Sequence, residues 1–411
     1  MQIPLKQTIL ATFVVTALFL PVIGQAATYY VATSGSNSNP GTSTKPWKTV
    51  NYATSKMVAG DTTYVRGGTY NEGIVRFGRS GTQSAPIKLL NASGEFPVIN
   101  FIDKNQQHKI LIQNTAGYWK AIGWITIEGF ELRNGYEGIK MNNGHNITIR
   151  RNWIHHNSSQ GIIGIGTRIL IDRNKITHNG PFATNPSGTF AHGMYVGGTA
   201  WTVINNLIYD NLGYGIQMNA TGSYDPTRYA GPEYAASANW VVLNNTFAYS
   251  ANRSGMVIWG STCNNARIEN NIFYENAVKM SSATTQGISF QSVSCKGITI
   301  RNNLSYASGS GGARFLSSGA TEGTHYTQSG NIVNTLKPAF ANAPATLPSS
   351  PNFALPSGSP AIDKGLVIST ARIAFNGTTR PKGSSYDVGA YEYSGSTSQL
   401  VLAAPTSAQA Q

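Results

Sequence analysis

Between residues 138 and 303 apolar and polar positions alternate in short runs of period two, with no helical period. Six runs close on asparagine: Ile149-Arg150-Arg151-Asn152, Ile171-Asp172-Arg173-Asn174, Val203-Ile204-Asn205-Asn206, Val242-Leu243-Asn244-Asn245, Ile268-Glu269-Asn270-Asn271 and Ile300-Arg301-Asn302-Asn303. From Asn152 through Asn174, Asn206, Asn245 and Asn271 to Asn303 the steps are 22, 32, 39, 26 and 32 residues. An apolar residue and a short polar turn follow each run, as in Trp153-Ile154-His155-His156-Asn157. Strand-like units that recur at a basic step of 22 residues predict a parallel β-helix, in which longer steps are single coils with inserted loops.

A second pattern advances with the first. It reads x-Gly-apolar-x-apolar-x and begins at Glu137, Gln160, His192, Tyr214, Ser254 and Gln286. Strand alternation puts its fourth and sixth positions on an outward face. The fourth positions are Lys140, Ile163, Tyr195, Gln217, Val257 and Ser289, and the sixth are Asn142, Ile165, Gly197, Asn219, Trp259 and Gln291. Stacked coils turn these into columns a few ångströms apart.

The 411 residues are 40% hydrophobic and include 44 glycines, which suits short strands joined by tight turns. Residues 1–26 carry Lys6, an apolar run from Ile9 to Ile23 and the small-residue ending Gly24-Gln25-Ala26, the pattern of a secretory signal peptide. A secreted, periplasmic or cell-envelope location is therefore expected, with no membrane span in the mature chain. Cys263 and Cys295 each lie eight residues after a glycine of the second pattern, and their separation of 32 equals the local coil step. They should stack on neighbouring coils within disulfide range; two buried free thiols are the alternative. The net charge of +13 favours an acidic polymer as partner, and without a block of consecutive Lys or Arg a nucleic acid is not expected.

The expected organisation is a signal peptide at 1–26, an N-terminal cap at 27–73 with a short helix ending near Val58, coils over 74–310, final coils and an end segment over 311–393, and a disordered tail at 394–411. The end segment, from Ser359-Pro360-Ala361-Ile362-Asp363 to Asp387-Val388-Gly389-Ala390-Tyr391-Glu392, loses the ladder and is expected to pack over the far end of the helix. A monomer is expected.

Residues 31–70, with Pro46-Trp47-Lys48-Thr49-Val50 and Gly67-Gly68-Thr69-Tyr70, resemble the N-terminal cap of exported right-handed β-helix proteins, among them polysaccharide lyases of families six and nine, the alginate, chondroitin and pectate lyases. Ser80-Gly81-Thr82-Gln83-Ser84-Ala85-Pro86-Ile87 resembles their next coil, and the end segment resembles the close of many bacterial exported β-helix proteins. The resemblance implies an all-β, single-stranded right-handed parallel β-helix with an N-terminal helical cap. It also implies a lysine base, generally with calcium to help neutralise the substrate's acid.

Cleavage of a uronate polymer by β-elimination needs a group to take the proton beside the carboxylate, one to neutralise that carboxylate and one to protonate the leaving oxygen. Tyr195, His192 and Lys140 are the catalytic candidates. By strict alternation His192 falls on the side of Met194 and Val196, so it is either turned out at the strand entrance or a structural histidine. Lys140 is the one lysine on the outward columns. Gln217, Asn219, Asn142 and Trp259, with Tyr224, Arg228 and Tyr229 from a long insertion, are the candidate substrate-binding residues. A second insertion at 179–190 would form the opposite wall. No aspartate cluster marks a calcium site, so no cofactor is assigned. His155, His156 and His178 lack metal-ligand partners at suitable spacing.

The function expected first is a secreted polysaccharide lyase acting on an acidic, uronate-containing polymer, with a C5-epimerase as a variant that abstracts the same proton. A glycoside hydrolase on this scaffold would need two carboxyl groups, for which Glu137, Asp225 and Glu233 are available, and a non-catalytic glycan-binding envelope protein is the third possibility.

Overall fold

The computed structural model describes residues 26–395 except 103–108, 118–119, 181–190, 221–236, 261–262, 278–284, 292–293 and 307–313. The expected signal peptide and tail, and the insertion bearing Tyr224, Arg228 and Tyr229, lie outside the described residues.

The chain is a parallel β-helix in which each full coil lays down three strands. The glycine-led strands pair in parallel from Val75–Phe77 onward, through Ile110–Ile112, Ile139–Arg150, Ile162–Asp172, Met194–Gly197, Ile216–Ala220, Met256–Gly260 and Thr285–Gln291, to Arg314–Leu316. A second ladder holds the strands ahead of the asparagines, and a third, in a separate sheet, those after them. Apolar positions face inward rung upon rung: Ile139, Ile162, Met194, Ile216, Met256 and Ile288 form one fully buried column. The larger coils are filled by Trp201 and Trp240, stacked at 5.5 Å, whose indole N–H groups donate to the carbonyls of Gly197 and Gly198.

The bends cannot be filled with apolar atoms alone, because they carry backbone groups that no strand satisfies. Asparagine answers this. In the buried column Asn152, Asn174, Asn206, Asn245, Asn271 and Asn303, each side-chain oxygen from Asn174 on accepts from the backbone N–H and the amide of the asparagine one coil earlier, and that of Asn152 accepts from the Phe130 N–H. Each amide from Asn174 on also donates to a carbonyl in an earlier coil, such as Asn206 to Ile171 at 2.9 Å. A second column not anticipated from the sequence, Asn157, Asn179 and Asn211, repeats the device at the next bend. It explains the glycines. A Cβ on Gly193 would stand 2.6 Å from the Gly215 carbonyl oxygen and 3.0 Å from the Asn211 amide, so no other residue fits there.

Residues just ahead of the buried asparagines hold positive φ: Arg151, Arg173, Asn205, Asn244, Asn270 and Asn302. Where this residue is asparagine, its side chain engages the end segment. Asn244 donates to the Asp387 carbonyl, Asn270 exchanges two bonds with Leu366, Asn302 donates to the Lys364 carbonyl, and Asn205 accepts from Arg380. The end segment therefore covers the sides of the later coils rather than the far end expected from the sequence. Its apolar residues Val388 and Tyr391, with Phe353 and Leu355 just ahead of it, pack on outward Leu207, Tyr209, Ile272, Tyr274 and Leu304 of the third ladder. These outward apolar positions, unusable in water, are the physical reason.

The cap also differs from expectation. Thr28–Val31 already pairs with Thr62–Val65, so the ladder starts inside the segment assigned to the cap, with the helix Val50–Lys56 inserted between two of its strands. Thr49 caps this helix, its hydroxyl accepting from the Tyr52 N–H. Cys263 and Cys295 form a disulfide, with Cα atoms 4.9 Å apart on adjacent coils.

Arg380 is wholly buried and binds the Glu392 carboxylate and three end-segment carbonyls. Arg380→Ala leaves that carboxylate buried and unpaired, at a cost of about 3–5 kcal/mol. Denaturant unfolding checks this, and a loss below ~1 kcal/mol would show that the segment is held by its apolar contacts alone.

Candidate functional site

The outward column of the glycine-led ladder is assembled as the spacing predicts: Lys140 pairs with Ile163, Ile163 with Tyr195, Tyr195 with Gln217, Gln217 with Val257 and Val257 with Ser289. Asn219, Trp259 and Gln291 share a second set of rungs. Asn142 does not join them. A register shift between Met141 and Gly144 takes it out of the ladder, where it is buried and donates to Gln113 at 2.8 Å.

His192 lies on the outward side, contrary to strict alternation. The tight turn at the glycine breaks the alternation, and the residue ahead of it swings over the face. Three coils show this. The His192 ring packs on Tyr195 and Tyr214 at 5.7 and 5.3 Å, the Tyr214 hydroxyl accepts from Gln291 at 2.8 Å, and Ser254 bonds Ser289 at 2.7 Å. His192 Nδ1 accepts the Tyr214 backbone N–H at 3.0 Å, so the neutral ring carries its proton on Nε2, which is buried. Burial, reinforced by the Arg253 charge, lowers its pKa to about 3, with Gln217 opposing. A ring held neutral with its one basic nitrogen occupied is unsuited to general-base work, and His192 is better placed to position the two tyrosines.

Burial raises the pKa of Tyr195, and of Tyr214 against the opposing charge of Arg253. A phenol is protonated at neutral pH in any case, and this shift holds both protons more firmly, so Tyr195 and Tyr214 stand as proton donors. Arg253 stands 5.8 Å from the Tyr214 ring centroid, which brings a cation to the same cluster. The sequence reading missed Tyr214 and Arg253. The signal was present: they stand one and two residues ahead of Gly215 and Gly255, the positions that the glycine turn directs outward.

Gln217 is nearly buried, Trp259 and Asn219 half-buried. Lys140 lies two rungs from Tyr195, about 10 Å at the usual strand spacing. Its Nζ is 3.6 Å from Glu137, whose other oxygen is held by buried Lys109; burial lowers the pKa of Lys109 against the attraction of Glu137.

Calcium takes six to eight oxygen ligands, several from carboxylates. Among the described residues Glu137 is the one carboxylate on this face, both its oxygens are taken by lysines, and no group of three His, Cys, Asp or Glu could hold a metal ion. The described residues therefore do not fit calcium. His155 and His178 find carboxylates that the sequence reading did not place, Glu131 at 3.1 Å and Asp210 at 2.8 Å.

This architecture is found in known proteins. Residues 29–182 match a Pel9A-like, right-handed β-helix region. The chain resembles a pectate-lyase-like right-handed β-helix. It is 31% identical over 161 residues to the pectate lyase PEL9 of Emericella nidulans, covering 35% of this chain and 37% of that enzyme. It is 24% identical over 304 residues to pectate lyase L of Dickeya dadantii, covering 68% of this chain and 65% of that enzyme, so it spans less than two thirds of either relative. The crystal structure of pectate lyase Pel9A superposes with a TM-score of 0.49 at 18% identity, covering 89% of this chain and 96% of that one.

The folded chain holds His192 neutral while the unfolded chain protonates it near pH 6.5, so stability should fall as the pH drops from 6.5 toward 3. His192→Gln removes this linkage. Its stability, followed by denaturant unfolding, should decline less steeply across that window than the wild type's; parallel slopes would mean the ring is protonated in the fold.

Proposed function

We propose that this protein is an exported polysaccharide lyase that cleaves a uronate-containing polymer by β-elimination at the Tyr195–Gln217 rungs. The observation that carries this is one cluster on the outward face in which proton-bearing phenols, Tyr195 and Tyr214, stand beside the Arg253 guanidinium and the Gln217 amide. Arg253 neutralises the sugar carboxylate and the Gln217 amide donates a hydrogen bond to it, which acidifies the neighbouring carbon-bound proton. Tyr195 gives its proton to the leaving glycosidic oxygen. The resemblance to the family six and nine lyases implies a lysine for the carbon-bound proton; Lys140, the lysine on this face, stands two rungs from Tyr195 and takes that proton only by leaving Glu137 and extending along the groove. The products are an unsaturated uronate on one fragment and a new chain end on the other. The apolar run of residues 9–23 and the disulfide support export, and the net charge of +13 favours an anionic substrate. Among the described residues no helix is long and apolar enough to cross a membrane.

Hydrolysis is less well served. It needs two carboxyl groups across the scissile bond, and among the described residues this face offers only Glu137, already bound to two lysines. Asp225 and Glu233 lie outside the described residues.

Incubation with polygalacturonate, alginate and glycosaminoglycans should produce the ultraviolet absorbance of an unsaturated uronate on one of them. New reducing ends without that absorbance would mean hydrolysis. Tyr195→Phe should lower kcat by about 100-fold or more with the melting temperature nearly unchanged, because only the phenolic proton is removed. Arg253→Ala should weaken kcat/KM by at least about tenfold, the loss of one charge-assisted hydrogen bond. Full activity in the tyrosine variant would exclude Tyr195 from the reaction.

A further inference from the structure

The outward column does not begin at Lys140. Leu111 pairs with Lys140 on the preceding coil, and Arg76 pairs with Leu111 on the one before that. Arg76 thus stands four rungs from Tyr195 on the same face, about 19 Å along the helix axis. There the cap helix Val50–Lys56 lies beside the strand Val75–Phe77, and a cavity of about 360 Å³ opens between them, lined by Asn51, Thr54, Ser55, Arg76, Arg79 and Thr115.

The two arginines differ. Arg79 serves the helix: its Nη1 donates to the carbonyls of Ser55 and Lys56 at 2.9 and 3.4 Å, satisfying groups that a helix C-terminus leaves open. The Arg76 guanidinium, half-buried in the wall, forms no hydrogen bond or ion pair with a described residue. Its backbone N–H donates to Asn51 Oδ1 at 3.1 Å, which leaves the Asn51 amide donors for a ligand. The hydroxyls of Thr54, Ser55 and Thr115 donate to the carbonyls of Asn51, Tyr52 and Gly78, so their lone pairs remain to accept from a ligand.

We propose that this pocket is a distal subsite for one uronate unit of the polymer that is cut at Tyr195. Arg76 binds its carboxylate, the geometry for which a guanidinium is best suited, and the three hydroxyls accept from its ring hydroxyls. A straight column on one face lets a single extended chain reach both places, and a span of several sugar units means that only longer chains do so. The proposal rests on the uronate reading of the cleft.

Galacturonate, mannuronate and glycosaminoglycan oligomers of graded length, tested on the wild type, Arg76→Gln and Arg76→Lys, decide it. In the wild type kcat/KM should rise at the length that first spans the two sites. Arg76→Gln should lose about tenfold or more on the long oligomers and nothing on the short ones, with Arg76→Lys recovering part of the loss. The same length dependence in all three proteins would overturn the subsite and leave the lyase standing. Absence of cleavage by the wild type would overturn the lyase instead, and the subsite would then be decided by titration with trigalacturonate and trimannuronate. Tighter binding by the wild type than by Arg76→Gln supports it, and equal or absent binding overturns it. Melting temperatures of the variants, expected to match the wild type, exclude a collapse of the cap.

Discussion

The interior asparagine ladder is the interaction on which the rest of this molecule depends. A coil that turns sharply brings backbone N–H and C=O groups into a bend where strand pairing cannot reach them, and buried groups left unpaired cost about 1–3 kcal/mol each. A short amide that accepts from one coil and donates to others answers this at every turn, and does so only when coils are stacked in one register. A slip of one residue would carry the amide out of the bend and the apolar column out of the core together. The register is therefore held by polar and apolar constraints that agree, and this agreement lines up Tyr195, Gln217 and Arg76 from segments far apart in the chain.

The same bends decide which faces are covered. The residue ahead of each ladder asparagine is held at positive φ, a conformation that asparagine tolerates better than most residues. In the earlier coils this residue is Arg151 or Arg173, which pairs with the nearby acids Glu128 or Asp172. In the later coils it is asparagine, and its amide fastens the end segment over a flank rich in leucine, isoleucine and tyrosine. The end segment packs on these flanks, while on the glycine-led face Lys140, Ile163 and Tyr195 stay half-buried and Gln217, Val257 and Ser289 are buried.

On that face, glycine does more than turn the chain. A neighbouring carbonyl and a ladder amide occupy the space a Cβ would need, and at the same turn the preceding side chain lies over the groove. His192 and Tyr214 reach the site this way. Period-two logic put His192 inside because it holds for extended strands and not for the bend before them. The end segment was misplaced for a related reason: its motifs were visible, but whether they cover an end or a flank depends on which outward positions of distant coils are apolar. Asn142 left its column because of a bulge that alternation alone does not reveal.

Sequence alone determined the parallel helix, the rung partners of Tyr195 and the stacking of Cys263 and Cys295 on neighbouring coils, because each follows from a repeat step and a pitch, quantities written along one dimension; that the two thiols are joined came from the structure. Only the tertiary structure decided that Arg253 joins Tyr214 and His192, that Arg76 opens a pocket against the cap helix, and that Glu137 is occupied by two lysines. Those relations are set by side-chain direction across neighbouring coils and by the burial that neutralises His192, and neither exists until the coils are stacked.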